Sequence, residues 1–267
     1  MNPKRAYAIF LRQLFLLRGS PTRLFQIFVW TLLDIVLWGF ITQYLNSVAA
    51  AKFSFLPVFL GAVVLENFLT RVQQGVAVAF FEDVWSRNFL NVFASPLRVS
   101  EYLAGLVSTS VITSAFALVA MMLLAGAVFG LSLLSLGASL IPFLLILFLF
   151  GVALGILATA IVLRFGPASE WFVWPIPMVL APFVGVFYPL ATLPSWMQAI
   201  SYALPPSYVF EGLRGVVLDG RFSAGLLGLG IALALIYVAL AYGLFRLVYR
   251  TVIRRGLIAR YSAETVS

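Results

Sequence analysis

No charged residue lies between Glu101 and Arg164, and this feature limits the folds open to the chain more than any other. The hydrocarbon core of a membrane is about 30 Å thick and is crossed by about 20 apolar residues of α-helix, so the interval is long enough for two crossings and a short turn. We place that turn near residues 130–137. The composition agrees, because 63% of the residues are hydrophobic and 10% are charged. Soluble domains average about 45–50% apolar residues and about 25% charged residues.

The same length criterion, applied to the whole chain, predicts six membrane-spanning helices in a single transmembrane domain. The expected spans are residues 24–44, 56–80, 103–129, 140–163, 171–193 and 226–248. The fifth span contains Pro175, Pro177, Pro182 and Pro189. Because proline removes a helical hydrogen bond, we expect a broken helix there. The predicted fold class is all-α, a polytopic membrane protein.

Lysine and arginine are concentrated at the two ends of the chain. Residues 1–23 carry five basic residues and no acid, and residues 246–260 carry five more. Since basic residues are retained on the cytoplasmic side, both termini are predicted to be cytoplasmic, which requires an even number of spans. A cleavable signal peptide is the competing interpretation of the first span. It fits less well because the run contains Asp34 and exceeds the roughly 7–15 residues of a typical signal core.

The segment before the first span has an amphipathic pattern. Tyr7, Phe10, Leu14 and Leu17 recur at helical spacing, and the basic side chains mostly lie on other sides. This pattern predicts a helix within residues 1–23 that lies along the inner membrane surface, with its cations near anionic lipid headgroups. A basic anchor that only sets the topology is the alternative.

A second amphipathic segment, residues 82–95, follows the second span. Trp85, Phe89 and Phe93 have helical spacing, and Glu82 and Asp83 precede them as acidic residues do at a helix N-terminus. The pattern predicts a short cytoplasmic helix on which a partner protein docks. A helix that contacts only lipid is the alternative.

Residues 194–218, before the last span, are too polar and too rich in proline to cross the membrane, yet too apolar for an exposed loop. Two short re-entrant helices that meet at residues 204–206 and dip into the outer leaflet satisfy both conditions. Glu211 and Arg214 are three residues apart and are expected to pair on the second helix. The candidate residues of this outer re-entrant gate are Trp196, Tyr208, Glu211 and Arg214.

The residue types present exclude several kinds of chemistry. The chain has neither histidine nor cysteine, so disulfides, histidine or cysteine metal ligands and Ser-His-Asp or Cys-His triads are excluded. The only adjacent acids, Glu82 and Asp83, are explained as helix-start residues, and we predict no catalytic residue and no metal site. Neither Lys4 nor Lys52 lies in the glycine-rich turn of a P-loop, so a nucleotide that drives this protein must bind another polypeptide.

The order of these segments resembles the membrane subunit of an ABC type-2 exporter, a permease of the ABC-2 transporter superfamily. The most specific stretch is EDVWSRNFLNVFASPLRVSEYLAG, which is similar to the inner coupling segment of that family with its Ser-Pro-Leu. Residues 193–214 are similar to the paired outer helices. One departure is that many relatives have Asn-Pro where this chain has Leu204-Pro205-Pro206.

The resemblance implies a dimer of two six-helix permease copies in the bacterial inner (plasma) membrane, with a transport path between them. Separate ATP-binding-cassette ATPase subunits would dock at the inner loops and hold ATP and Mg, so this chain is expected to bind no cofactor and to have no enzymatic activity. Membrane lipids are the remaining expected partner, and nucleic acid is not expected. The residues implied to form the coupling helix are Glu82, Asp83, Trp85, Arg87, Phe89 and Phe93.

Charged groups at membrane depth cost about 2.5–3.5 kcal/mol each at the bilayer centre on insertion scales, so they normally face protein or water. Asp34 and Arg71 lie about 15 Å and about 13.5 Å from the inner ends of their helices, and we predict that they pair, with substrate contact as the alternative. A polar stripe on the second span either lines a transport path or joins helices by hydrogen bonds. The candidate residues of the path are Asp34, Glu66, Asn67, Arg71 and Gln74.

Two glycine pairs, Gly126 with Gly130 and Gly151 with Gly155, have the small-xxx-small spacing that permits close helix packing. They carry no information about the substrate.

The favoured function is the permease half of an ATP-driven exporter that moves an amphipathic substrate out of the cytoplasm. The substrate would be a drug-like molecule, a lipid or lipid-linked compound, or a glycan. A secondary transporter or channel without an ATPase partner is the first alternative, although we find no convincing internal repeat of the kind that such folds often have. A membrane-embedded enzyme is the second alternative.

Overall fold

The structure is a computed structural model that describes residues 2–19, 21–48, 56–86, 92 and 95–257. Every regular element in these residues is helical, which confirms the predicted all-α class. The main helices, in chain order, are α1 (Pro3–Arg18), α2 (Pro21–Val48), α3 (Gly61–Trp85), α4 (Val99–Phe129), α5 (Leu140–Phe165), α6 (Ile176–Val184), α7 (Ser195–Ala203), α8 (Pro205–Asp219) and α9 (Ala224–Arg254).

Within the described residues, four helical segments are long and apolar enough to cross a membrane. They are Leu56–Trp85, Val99–Phe129, Leu133–Phe165 and Ala224–Arg254, and they include a π-helical turn before α3 and a 3-10 turn before α5. These segments contain the second, third, fourth and sixth predicted spans. The first predicted span lies in α2, a helix of 28 residues that is about 42 Å long at about 1.5 Å per residue.

The fifth predicted span is interrupted, as its prolines indicate. A 3-10 turn over Pro167–Phe172 leads into α6, which has 9 residues and ends at Gly185 with a φ of 68°. At about 1.5 Å per residue α6 is only about 14 Å long, so it does not cross a bilayer core alone. A further 3-10 turn at Leu190–Thr192 connects the segment to α7.

The core of the helical assembly is the contact between α3 and α5. A Cβ added at Gly151 would lie 2.8 Å from the Cβ of Val72, and one added at Gly155 would lie 2.6 Å from the Cβ of Val76. The two helices therefore run in the same direction with their backbones in close contact, which confirms the packing role predicted for this glycine pair.

The other glycine pair has a different role, and the packing prediction is wrong for it. Gly130 ends α4 in the left-handed conformation with a φ of 69°, where glycine avoids the strain that a Cβ would cause. Gly126 faces the same turn, because a Cβ added there would meet the carbonyl oxygen of Leu131 at 3.5 Å. This pair has the same spacing as Gly151 and Gly155, but it lies at the end of α4 and, among the described residues, makes no contact between helices.

The helices define two ends of the molecule. At the first, which we call the α1 end, α3 stops and α4 starts, and α1 packs on α4 and bonds to the last turns of α3. At the second, the α8 end, Gly212 of α8 lies against Phe143 at the start of α5. Gly230 of α9 lies against Ile146, and Tyr237 makes an edge contact with Phe150 at 5.2 Å. α9 therefore runs parallel to α5, and both helices end on the side where α1 lies.

Candidate transport cavity

A cavity of about 560 Å³ lies near the α1 end, among α1, α2, α3, α4 and the turn before α6. Its volume is within the range of about 300–1,000 Å³ that is usual for small-molecule sites. The polar residues that line it are Gln13, Arg71, Gln74, Glu82, Thr109 and Thr113. The aromatic residues that line it are Trp30, Trp85 and Trp174. The cavity therefore combines hydrogen-bonding groups with large apolar surfaces.

One face of α3 supplies the longest side of the cavity. Arg71, Gln74, Val78, Glu82 and Trp85 succeed one another at intervals of three or four residues, so their side chains share that face. Of the predicted path residues, Arg71 and Gln74 line the cavity, whereas Asp34, Glu66 and Asn67 do not. The polar stripe inferred from the sequence is therefore divided between the cavity and a helix contact.

Asp34 and Arg71 do not form the predicted ion pair within the described part of the chain. The carboxylate Oδ2 of Asp34 instead accepts a hydrogen bond of 2.6 Å from the side-chain amide of Asn67. Asn67 lies one turn before Arg71 on the same face of α3, and its amide occupies the position beside the carboxylate. Asp34 still acts electrostatically on Arg71 and on Glu66. A polar contact between α2 and α3 is therefore present as expected, but the amide of Asn67 makes it in place of Arg71.

Among the described residues that line the cavity, Arg71 and Gln74 have side-chain donors without a hydrogen-bond partner. The Nε of Arg71 is buried without a hydrogen-bond partner. By contrast, the hydroxyl of Thr109 donates to the carbonyl of Gly105 at 3.0 Å, and that of Thr113 donates to the carbonyl of Thr109 at 3.1 Å. The donors of the threonines are used within their own helix, whereas the guanidinium of Arg71 is available.

The position of Glu82 and Asp83 corrects a prediction. Both residues belong to the last turn of α3 and not to the first turn of a separate docking helix. Asp83 is fully buried, and its Oδ1 forms an ion pair of 2.5 Å with Arg12 of α1. Its Oδ2 accepts a hydrogen bond of 2.7 Å from the hydroxyl of Tyr102 on α4. Asp83 is therefore a structural residue that joins three helices, and Glu82 lines the cavity.

The other predicted coupling residues fall partly outside the described residues. Arg87, Phe89 and Phe93 lie there. Trp85 is half-exposed at the end of α3, and its indole N–H donates to Glu170 at 2.9 Å. Trp85 thus connects α3 to the turn that follows α5.

The N-terminal helix α1 is packed on α3 and α4 through polar contacts as well as apolar ones. Gln13 donates a hydrogen bond of 2.9 Å to the carbonyl of Ala79, and Glu101 accepts one of 2.6 Å from the backbone of Asn2. Sequence reasoning assigned α1 only to the membrane surface and missed these partners. One signal was available, because an acid such as Asp83 is unfavourable at a helix C-terminus unless a cation compensates it.

At the α8 end, Glu211 and Arg214 pair at 2.9 Å on α8, as their spacing predicts. The same carboxylate accepts a hydrogen bond of 2.7 Å from the backbone of Leu190, so it also holds the preceding turn. Tyr208 donates to the carbonyl of Tyr202 at 2.7 Å, across the joint between α7 and α8. Trp196 of α7 is exposed and contacts Phe183 of α6 at 6.3 Å.

No cluster of acidic side chains that could hold a metal ion occurs among the residues that the structure describes. Several membrane-length helices around a cavity that has both polar and apolar walls are the architecture of a multi-pass membrane transport protein. The family profile described as ABC-2 type transporter matches residues 7–218, and the chain belongs to this family. Permeases of the family work with ATP-binding-cassette partners. A comparison with curated proteins finds no match.

Proposed function

We propose that this chain is the transmembrane permease subunit of an ATP-driven exporter that moves an amphipathic substrate out of the cytoplasm by alternating access. The observation that carries the proposal is the cavity at the α1 end, which is lined by three tryptophans together with Arg71 and Gln74. Such a lining suits a molecule with one polar and one apolar part. Drug-like compounds, lipids, lipid-linked compounds and glycans are the candidate cargoes.

The proposed topology has six crossings with the α1 end in the cytoplasm. α3, α5 and α9 all end on this side, and α4 begins there, so the basic residues at these helix ends collect on one side. That concentration agrees with the positive-inside bias. In this topology α2 and the broken segment around α6 supply the remaining crossings, and α7 and α8 form the outer re-entrant pair.

Coupling to the ATPase is proposed to occur through the segment that follows Trp85. Because Trp85 both lines the cavity and ends α3, a displacement of that segment by the ATPase would move the cavity face that carries Arg71. ATP and Mg would be held by the cassette subunits alone. We also propose that two copies of this chain form the complete permease.

A proton-driven secondary transporter is the second candidate function. Asp34 and Glu66 favour it, because carboxylates at membrane depth are the groups through which proton-coupled transporters work. Such a transporter would move its substrate without any ATPase.

Reconstitution in liposomes distinguishes the two candidates. The purified chain is incorporated with its cassette ATPase, and the accumulation of an amphipathic dye is measured with ATP on the ATPase side. The exporter proposal predicts transport that requires ATP and the partner, with no ATP hydrolysis by this chain alone. Transport by the chain alone in a pH gradient, unaffected by ATP, would contradict it and favour the secondary transporter.

A further inference from the structure

The cavity contains an arginine whose charge is not matched by an ion pair in the described structure. Arg71 lies on the cavity face of α3, its Nε is buried without a partner, and it makes no ion pair with another described residue. An arginine at membrane depth is costly and normally pairs with an acid or faces water. The terminal nitrogens of this guanidinium make no hydrogen bond within the described residues and are therefore the donors available to a ligand in the cavity.

The acidic groups near Arg71 do not occupy these donors. Asp34 interacts with Arg71 electrostatically, but its Oδ2 is used by Asn67 and it does not line the cavity. Glu66 accepts a hydrogen bond of 3.4 Å from Thr70 and is also outside the lining. Glu82 does line the cavity, yet it is buried and has an interaction of its own within the protein.

The remaining polar groups around Arg71 add a second donor. The amide of Gln74 makes no hydrogen bond within the described residues and lies one turn from Arg71. The hydroxyl donors of Thr109 and Thr113 are used by carbonyls of α4. A guanidinium and a free amide together match a group that has several acceptor oxygens and a negative charge.

The apolar part of the cavity lies on the α1 side of Arg71. Trp85 lies 14 residues after Arg71 on α3, about 21 Å along the helix axis. Val78, Ala79 and Glu82 lie between these residues on α3, and Leu16, Leu17, Trp30 and Trp174 supply further apolar lining. An elongated molecule can therefore place its charged group at Arg71 and its apolar body against the tryptophans.

We propose that the cavity binds an amphipathic anion whose carboxylate or phosphate group is held by Arg71 and Gln74. This inference rests on the proposed transport function and specifies the class of its substrate. The anion has two possible sources, an exported amphiphile and a phospholipid of the membrane, and both present the same chemistry to Arg71.

The test measures the binding of three probes that differ only in their head group. Doxyl-labelled stearate, its methyl ester and the corresponding amine quench tryptophan fluorescence, and three tryptophans line the cavity. The full chain is placed in phosphatidylcholine nanodiscs, and quenching is plotted against the mole fraction of each probe in the disc. Stearate is expected to bind about ten- to a hundred-fold more tightly than the ester, as one charge-assisted contact permits.

Three variants identify the group responsible. Arg71→Met is expected to abolish the preference, so that stearate and ester bind equally, and the remaining binding of both probes shows that the cavity is still formed. Arg71→Lys retains the charge without the planar fork and is expected to give an intermediate preference. Arg246→Met, at an exposed arginine of α9 outside the cavity, is the matched control and keeps the wild-type preference.

Three results would overturn the proposal. The first is equal binding of stearate and ester by the wild type. The second is a stearate preference that persists in Arg71→Met. The third is tighter binding of the amine, which would assign the site to cations near Glu82. These results leave the exporter proposal intact, because ATP-driven transport is measured separately with the cassette ATPase.

Phosphatidylglycerol distinguishes the two sources of the anion. If the membrane supplies it, adding this lipid to the nanodiscs displaces stearate from the wild type. If the anion is a cargo of another kind, the lipid leaves the binding of stearate unchanged. Both results are consistent with an anion site at Arg71. Displacement identifies a membrane lipid as the source of the anion, and no displacement identifies an exported amphiphile.

Discussion

The ion pair between Arg12 and Asp83 predicts an asymmetry between two substitutions. Asp83 is fully buried, whereas the side chain of Arg12 is 28% exposed. Arg12→Leu leaves a buried carboxylate with only the hydroxyl of Tyr102, and removal of one partner of a buried pair costs about 3–5 kcal/mol. Asp83→Asn retains an acceptor for Tyr102 and leaves a cation that reaches water, so we expect a cost of about 1–2 kcal/mol.

The cost should appear as undocking of α1, because Arg12 is the α1 partner of this network. The undocked population of Arg12→Leu is expected to rise by a factor of at least about 100, and that of Asp83→Asn by about 5 to 30. The double variant Arg12→Leu with Asp83→Asn removes both charges, keeps an acceptor for Tyr102 and is expected to be much closer to the wild type than Arg12→Leu alone.

The absence of cysteine from the chain makes this measurement simple, because one introduced thiol is the only one present. Ile9 is buried against Gly105 of α4, so a cysteine at Ile9 reacts with maleimide only when α1 leaves its site. Its labelling rate then follows the undocked population. A cysteine at Phe15, which is 63% exposed, is the control that should react rapidly in every variant.

Labelling of Arg12→Leu that is no faster than that of Asp83→Asn would refute the expected asymmetry. That result would mean that the buried carboxylate is rehydrated without undocking of α1. A double variant as unstable as Arg12→Leu would also contradict it, because the loss would then come from packing by the arginine stem.

The helix packing and the proposed topology can each be tested by single substitutions. Gly155→Val places a Cβ 2.6 Å from a valine Cβ of α3 and should lower the thermal unfolding midpoint in detergent. The control Gly243→Val meets open space and should leave the midpoint unchanged. Equal midpoints for the two variants would contradict the contact between α3 and α5. Glu211→Leu removes the acceptor of two hydrogen bonds and should destabilise the protein by about 1–3 kcal/mol in thermal unfolding. Asp219→Leu is the exposed control. An equal loss of stability in this control would refute the structural role of Glu211. A cysteine at Ser223 should react with impermeant maleimide in intact cells, and labelling only after lysis would reverse the proposed orientation.

Several elements were predictable because they depend on local sequence. The helical class, four membrane-length segments and the interruption of the fifth segment follow from apolar length and proline positions. The pair of Glu211 and Arg214 follows from a spacing of three residues on one helix. The contact of Gly151 and Gly155 with α3 follows from a small-residue pattern, although the pattern did not say which helix they would meet.

The sequence by itself determined that this chain is a helical membrane protein, because the length of apolar segments and the placement of charges are properties of the linear chain. Only the tertiary structure decided that Asp83 is buried against Arg12, that Asn67 replaces Arg71 as the partner of Asp34, and that Arg71 faces a cavity. These outcomes depend on how far each helix rotates about its axis and on where α1 docks. Packing among several helices sets both, and the spacing of residues within one helix does not contain that information.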